Sequence, residues 1–190
     1  MKKKPHFFLM HFLILSFSIF NFSCNINNKA NDLVIGDSYN GGIVAYILRP
    51  GETGYDAKLK HGIIAASFDQ SDGIQWSDGN YIVTGATATA VGTGNANTIA
   101  IVAKQGAGSY AAQLCADLDL GGYKDWYLPS KDELNHLYEN KSVVGGFATG
   151  YYWSSSEVDN DGAWVQGFNG GAQGNPNEGG RYCVRAVRAF

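Results

Sequence analysis

Gly121-Gly122-Tyr123-Lys124-Asp125-Trp126-Tyr127-Leu128-Pro129-Ser130-Lys131-Asp132-Glu133-Leu134 decides the fold reading of this chain. Ser130 follows Pro129 and stands three residues before Glu133. That is the spacing of a capping box, in which each side chain bonds the other residue's backbone N–H at a helix start. Leu134, Leu137 and Tyr138 then recur at helical spacing and give the helix an apolar face. Short aromatic segments follow, separated by Gly and Asn: Tyr151-Tyr152-Trp153-Ser154-Ser155-Ser156-Glu157, then Ala163-Trp164-Val165-Gln166. The chain closes on Tyr182-Cys183-Val184-Arg185-Ala186-Val187-Arg188-Ala189-Phe190. One helix among short strands, with a strand at the C-terminus, is an α+β pattern.

Upstream, Ile43-Val44-Ala45-Tyr46-Ile47-Leu48 and Gly62-Ile63-Ile64-Ala65-Ala66 are continuous apolar runs, the signature of buried strands. Turn signals at Asp72-Gly73 and Asp78-Gly79 predict a short strand over Ile74-Gln75-Trp76. Thr84 to Asn97 is small and polar and reads as a long loop. Asn97 is the expected cap of a helix over Thr98–Lys104, and Ser109 the cap of another. In the second, Ala111, Leu114, Cys115 and Leu118 share a face, and Gly121-Gly122 is the expected stop.

The N-terminus reads as a leader. Lys2, Lys3 and Lys4 precede an apolar run from Phe7 to Phe20, too short to span a membrane. Residues 1–23 are therefore expected to be a signal peptide. Cys24 is the expected lipidation site, although Asn21 and Phe22 depart from the usual lipoprotein box. Residues 24–34 are expected to be a polar tether, and 35–190 a single binding domain. Without the three leader lysines, the fourteen Lys and Arg fall to eleven against seventeen Asp and Glu, a net charge of about −6. With no basic stripe, nucleic acid is not an expected partner.

Catalytic chemistry is thinly supplied. Past the leader only His61 and His136 remain, and no Gly-x-Ser-x-Gly occurs. The expectation is a protein that is not an enzyme and carries no cofactor. Two histidines and three cysteines show no zinc spacing. Glu157, Asp159, Asp161 and Gly162 resemble half of an EF-hand loop, but Phe168 stands where the closing carboxylate is required. No metal is expected.

Residues 157–183 are the candidate binding face. Asp159, Asn160, Asp161, Trp164, Gln166, Phe168, Gln173, Asn175, Asn177, Glu178, Arg181 and Tyr182 lie there among many glycines. Trp164, Gln166 and Phe168 alternate and would share one strand face. Exposed aromatics beside amides and carboxylates suit sugar rings or protein surfaces. The opposing reading places Trp164 and Phe168 in the core.

Taken in order, "DWYLPSKDEL", "YYWSSSE", "AWVQGF" and "VRAVRAF" resemble the C-terminal domain of the Legionella collagen-like protein family. The resemblance covers roughly Ile35 to Phe190. It implies a C-type-lectin-like fold used for binding an unknown protein or glycan, in a protein of the cell envelope, at the outer membrane or cell surface. Trp126, Leu128 and Trp153 are then scaffold. It also implies a disulfide from helix to last strand, for which Cys115 and Cys183 are the residues at hand. Relatives place the strand cysteine where this chain has Ala186, so two separate thiols remain the alternative. The same stretch resembles the variable end of lectin-like proteins diversified by retroelements, in which Asn codons are randomised. On that rule Asp159, Asn160, Asp161, Phe168, Asn175, Asn177, Arg181, Tyr182 and Cys183 could be sampled residues. An adhesin or variable receptor-like module is the leading expectation. A calcium-independent lectin, a secreted enzyme and a structural envelope lipoprotein are the rivals.

Overall fold

Both apolar runs of the N-terminal half form strands, and they pair with each other. The computed structural model describes residues 30–190, so the leader and Cys24 lie outside the described residues. Its strands are β1 (Ser38–Tyr39), β2 (Gly42–Ile47), β3 (Gly62–Ala65), β4 (Ser71–Ile74), β5 (Tyr151–Glu157), β6 (Ala163–Gly167), β7 (Gln173–Gly174), β8 (Tyr182–Val184) and β9 (Val187–Ala189). Its helices are α1 (Gly94–Gln105), α2 (Ala111–Ala116), α3 (Lys131–Glu139) and the single turn α4 (Lys141–Val144). One sheet runs β1-β2-β3-β9 and the other β4-β8-β5-β6-β7. Pairing is antiparallel except between β5 and β8. The C-terminal stretch belongs to both sheets: β8 lies in one, β9 in the other, and only Arg185 and Ala186 separate them.

Side chains alternate across a strand, so consecutive residues feed opposite faces. Ile63 and Ile64, Tyr152 and Trp153, and Cys183 and Val184 each divide this way between two core clusters. The first cluster holds Trp76, Trp126, Leu128 and Trp153 and is covered by Ile101 of α1 and Ala111, Ala112 and Cys115 of α2. The second holds Tyr46, Tyr127, Tyr152 and Phe168 and is covered by Leu134 and Leu137 of α3. Cys115 and Cys183 therefore lie in different clusters, and both are free thiols. The alternative of two separate thiols holds, for the reason the register offset of Cys183 suggested. Trp126, Leu128 and Trp153 are all buried, as scaffold residues should be.

The capping box at Ser130 forms in full. Ser130 Oγ accepts from the Glu133 N–H at 3.3 Å, and Glu133 Oε2 accepts from the Ser130 N–H at 2.7 Å. Glu133 does more than cap. Its other oxygen accepts from the Gly92 N–H at 2.8 Å, which ties down the long loop before α1. A Cβ at Gly94 would sit 2.2 Å from Glu133 Oε2, so only glycine admits this approach.

The small, polar residues of that loop have a structural reason. The loop lies along Ser154–Glu157 and is bonded to it almost residue by residue. Glu157 accepts from the Thr84 and Gly85 N–H groups at 2.7 and 2.9 Å, and its own N–H donates to Ala86 O. Ser156 Oγ donates to Ala88 O at 2.7 Å, and Ser130 Oγ to Ala90 O at 2.9 Å. Ser154, Ser155 and Ser156 are thus fully buried yet partnered, the condition for burying hydroxyls without penalty.

Several local expectations are corrected. Strand β4 falls on Ser71–Ile74, before Trp76, because Trp76 leaves the strand to donate its indole N–H to Ser154 O in the core. Helix α1 starts at Gly94 rather than after Asn97; Asn97 is inside it, and its amide donates to Ala88 O. Helix α2 begins behind Tyr110 without a side-chain cap and ends at Ala116; Gly121 and Gly122 instead form the turn bridging Leu120 and Tyr123. Residues 30–34 are not all tether. Leu33 is buried, and the Asn31 side chain bonds the backbone of Lys58 and Lys60.

Candidate functional site

The loops of residues 157–183 are built on the edge of the second sheet and braced against each other. In the turn between β5 and β6, the Val158 N–H donates to Gly162 O at 2.8 Å. The loop between β7 and β8 docks on that turn: the Glu178 N–H donates to Asp161 O at 2.7 Å, and Gly162 bridges Asn177. From below, the Trp76 N–H donates to Glu178 O at 2.9 Å. Asp159 Oδ1 and Asn177 Oδ1 each accept from the backbone two residues on, at 3.2 and 2.9 Å, which fixes the two tips locally.

The twelve expected face residues separate into three groups. Asp159, Asn160, Asp161, Gln173, Asn175, Asn177 and Arg181 are exposed. Trp164 and Tyr182 are half-buried. Trp164 carries the Lys131 ammonium 3.9 Å from its ring centre, and Tyr182 packs edge-on against Trp153 at 4.8 Å. Gln166, Phe168 and Glu178 are buried, so these three are corrected from the contact set. Phe168 turns into the second core cluster against Tyr152 and Phe147, with ring centres 4.3 and 4.7 Å away. Gln166 spends its amide on Gly171 O and accepts from Gln173 Nε2, both at 2.8 Å. The shared-face argument for Trp164, Gln166 and Phe168 fails because β6 ends at Gly167 and Phe168 lies in the following turn.

Glu178 is the electrostatic anomaly of the site. It is fully buried, and neither carboxylate oxygen has a hydrogen-bond partner among the described residues. Burial first, then the Glu157 carboxylate, with smaller contributions from Asp161 and Asp159, pushes its pKa up to about 8; nearby Ser77 offsets only part of this. No group of three or more His, Cys, Asp or Glu among the described residues is placed to hold a metal ion.

Sequence reasoning missed one part of this face. Tyr81, Ile82, Val83 and Val158 are large apolar residues left exposed beside it. Tyr81 reaches the β7–β8 loop, its hydroxyl 2.6 Å from where a Cβ at Gly179 would stand. Three residues on, Thr84 and Gly85 are held by Glu157, next to Val158. The signal was available: Tyr-Ile-Val after Asp78-Gly79 is a strand-like run, but it finds no strand to pair with among the described residues.

Neither histidine forms a catalytic arrangement. His136 does not stand on a free polar face; its ring stacks on Tyr46 at 3.8 Å, and Nδ1 lies 2.8 Å from Glu139. His61 Nδ1 lies 3.0 Å from Phe190 O. A cleft of about 520 Å³ lies apart from the candidate face, lined by Asn31, Arg49, Tyr55 and Lys60 among others. No helix among the described residues is long and apolar enough to cross a membrane.

Comparison with known proteins matches both a family profile and solved structures. The family profile described as the Lcl C-terminal domain matches residues 66–188. A solved structure, that of a fimbrial protein from Bacteroides ovatus, superposes with a TM-score of 0.55 at 16% identity. The match covers 82% of this chain and 48% of that one, so this chain spans about half that protein's length. At that identity the likeness speaks for the fold alone. No curated protein matches.

Proposed function

The chain belongs to the Lcl C-terminal domain family, and we propose that it is an exported ligand-binding module of adhesin type, with a C-type-lectin-like fold. Two features support that fold: the last strand returns to the sheet that holds the first, and the loops over the second sheet are long and braced. The observation that carries the function is the separation of roles at residues 157–183. The exposed tips carry amides and carboxylates, while the residues beneath them are fully packed. Such a platform presents side chains without risking the core. The ligand is a protein or a glycan. The reading is of a binding protein rather than an enzyme, in keeping with the engagement of both histidines.

The test is a joint change of Asn160 and Asn175 to Ala in cells displaying the full chain. Both side chains are exposed and make no side-chain hydrogen bond among the described residues, so each costs within about 0.5 kcal/mol of stability. Adhesion to surfaces coated with matrix proteins or mucin glycans should fall several-fold, with the melting temperature held. Adhesion equal to that of the unaltered protein on every coating would remove the face from the reading.

Anchoring through lipid on Cys24, in the envelope, is part of the proposal and rests on the basic and apolar leader before it. Cys24→Ser should move the protein from the detergent phase to the aqueous phase; a wild type already aqueous sinks the anchor. Diversification by a retroelement is proposed for the exposed tips only. Phe168 and Cys183 leave the variable set, because random residues in the core cost several kcal/mol. The adjacent DNA should hold a near-copy of the 3′ coding region with mismatches at adenines, beside a reverse transcriptase gene. A locus without either leaves a face of fixed specificity.

A further inference from the structure

We infer that the partner of this face is an extended, cationic polypeptide segment, docked along Tyr81–Val83 beside the two braced tips. This rests on the binding-module reading and names the ligand class for the same site.

Three observations converge. Tyr81, Ile82 and Val83 are 45%, 36% and 62% exposed, and Val158 beside them is 37% exposed. A run of three large apolar residues on a surface marks a contact site, where single exposed ones do not. Next, none of the three makes a backbone–backbone hydrogen bond among the described residues. Their N–H and C=O groups are therefore free to pair with an added strand, the means by which peptides extend sheet edges. The segment is nonetheless held in place, by the contact of Tyr81 with Gly179 at one end and by Glu157 on Thr84 and Gly85 at the other. A docking strand meets a preset edge and loses little ordering entropy to the protein side.

Charge selects the partner. The carboxylates of Asp159 and Asp161 stand exposed beside Val158, with that of Glu157 buried behind them. Two cations near these loops are engaged: Arg181 donates to Gly73 O at 3.2 Å, and Lys131 of α3 lies over Trp164. An acidic rim around an apolar strip with open backbone fits a strand bearing Lys or Arg on one side and β-branched residues on the other. It disfavours anionic glycans, whose charge the rim repels.

The experiment selects random linear peptides, displayed on phage, against the immobilised full chain in detergent. Enriched peptides should carry net positive charge. A synthetic copy of one should bind about tenfold more weakly when Asp159→Asn and Asp161→Asn are combined, and when Val83→Asn is made alone. Both variants place polar side chains at exposed positions, and an unchanged melting temperature confirms their folding. Binding should weaken as salt rises. Enrichment without positive charge, equal binding by the variants, or no enrichment overturns the inference. An array of neutral oligosaccharides run beside it separates the two levels of claim. Array binding lost on combining Asn160→Ala with Asn175→Ala, without peptide enrichment, keeps the binding module and removes the polypeptide. Silence in both assays removes both.

Discussion

Arg185→Ala is expected to cost about 3–5 kcal/mol of stability, a large share of the roughly 5–15 kcal/mol that holds a domain of this size together. Arg185 is fully buried on the short link between β8 and β9. Its Nε donates to Asp69 Oδ1 at 2.7 Å, Nη1 to Ala66 O at 2.9 Å and Gly145 O at 3.3 Å, and Nη2 to Gly146 O. The guanidinium lies on the Phe147 ring, 4.0 Å from its centre. The same carboxylate, through Oδ2, accepts from the Tyr152 hydroxyl at 2.6 Å. Removing the cation leaves the buried Ala66 carbonyl without this donor, takes a charged partner from Asp69 and empties the space packed on Phe147, and together these set the size of the loss. Arg185→Lys should recover little, because an ammonium cannot reach a planar fork of partners. Thermal unfolding should show a fall of roughly 10–20 °C for the alanine variant. A fall equivalent to under about 1 kcal/mol would mean the link is held by its apolar neighbours instead.

Arg185 also marks the limit of what the sequence made legible. The capping box at Ser130 could be read because its two partners are three residues apart, and local spacing carries the whole geometry. The apolar runs of β2 and β3 were readable for the same reason, and so was the parity that sets Cys183 on the other side of the sheet from Cys115. Arg185 and Arg188 were seen only as charges in a strand-like segment. What buries them is distant: Asp69 lies 116 positions away and Asp125 lies 63 away. No period in a sequence reports such pairs. The long loop was legible as a loop, but its order was not. Thr84–Ala90 looks unstructured alone and becomes ordered only when Ser154–Glu157 supplies its partners. At the candidate face the exposed tips were legible from their turn chemistry, whereas Gln166, Phe168 and Glu178 were not. Their burial depends on where β6 ends and on what the neighbouring loop covers.

Stability is expected to fall as pH rises from about 5 to about 8, and Glu178→Gln is expected to remove most of that fall. The sign follows from the proton count. An unfolded glutamate ionises near 4.5, while folded Glu178 holds its proton up to about 8. Between these values the folded chain binds more protons than the unfolded one, so raising pH favours unfolding. The slope is at most about 1.4 kcal/mol per pH unit, so the loss between about pH 5 and about pH 8 is up to about 4 kcal/mol. Below 4.5 this contribution is fully present, and above about 8 it is gone. Burial is the main cause, followed by Glu157 on β5, then Asp161 and Asp159 on the adjoining turn, against the one favourable neighbour, Ser77. Glu133 is raised too, mainly by burial, and adds to the fall with the same sign; the glutamine variant isolates Glu178 from it. A glutamine at this position keeps the shape and the uncharged state at every pH, so the variant's denaturation midpoint should fall less across the window than the wild type's, and the fall that remains belongs to Glu133. The consequence reaches the face itself. The backbone of Glu178 is bonded on one side to Trp76 and on the other to Asp161. Charging the side chain therefore strains the joint that holds the two tips together, and ligand binding should weaken over the same pH range in the wild type but not in the variant. Chemical denaturation of both proteins at about pH 5 and about pH 8 decides the matter. A wild type as stable at the higher pH as at the lower would mean that Glu178 finds a donor or a cation in solution, and the buried carboxylate would then be a charged member of the site.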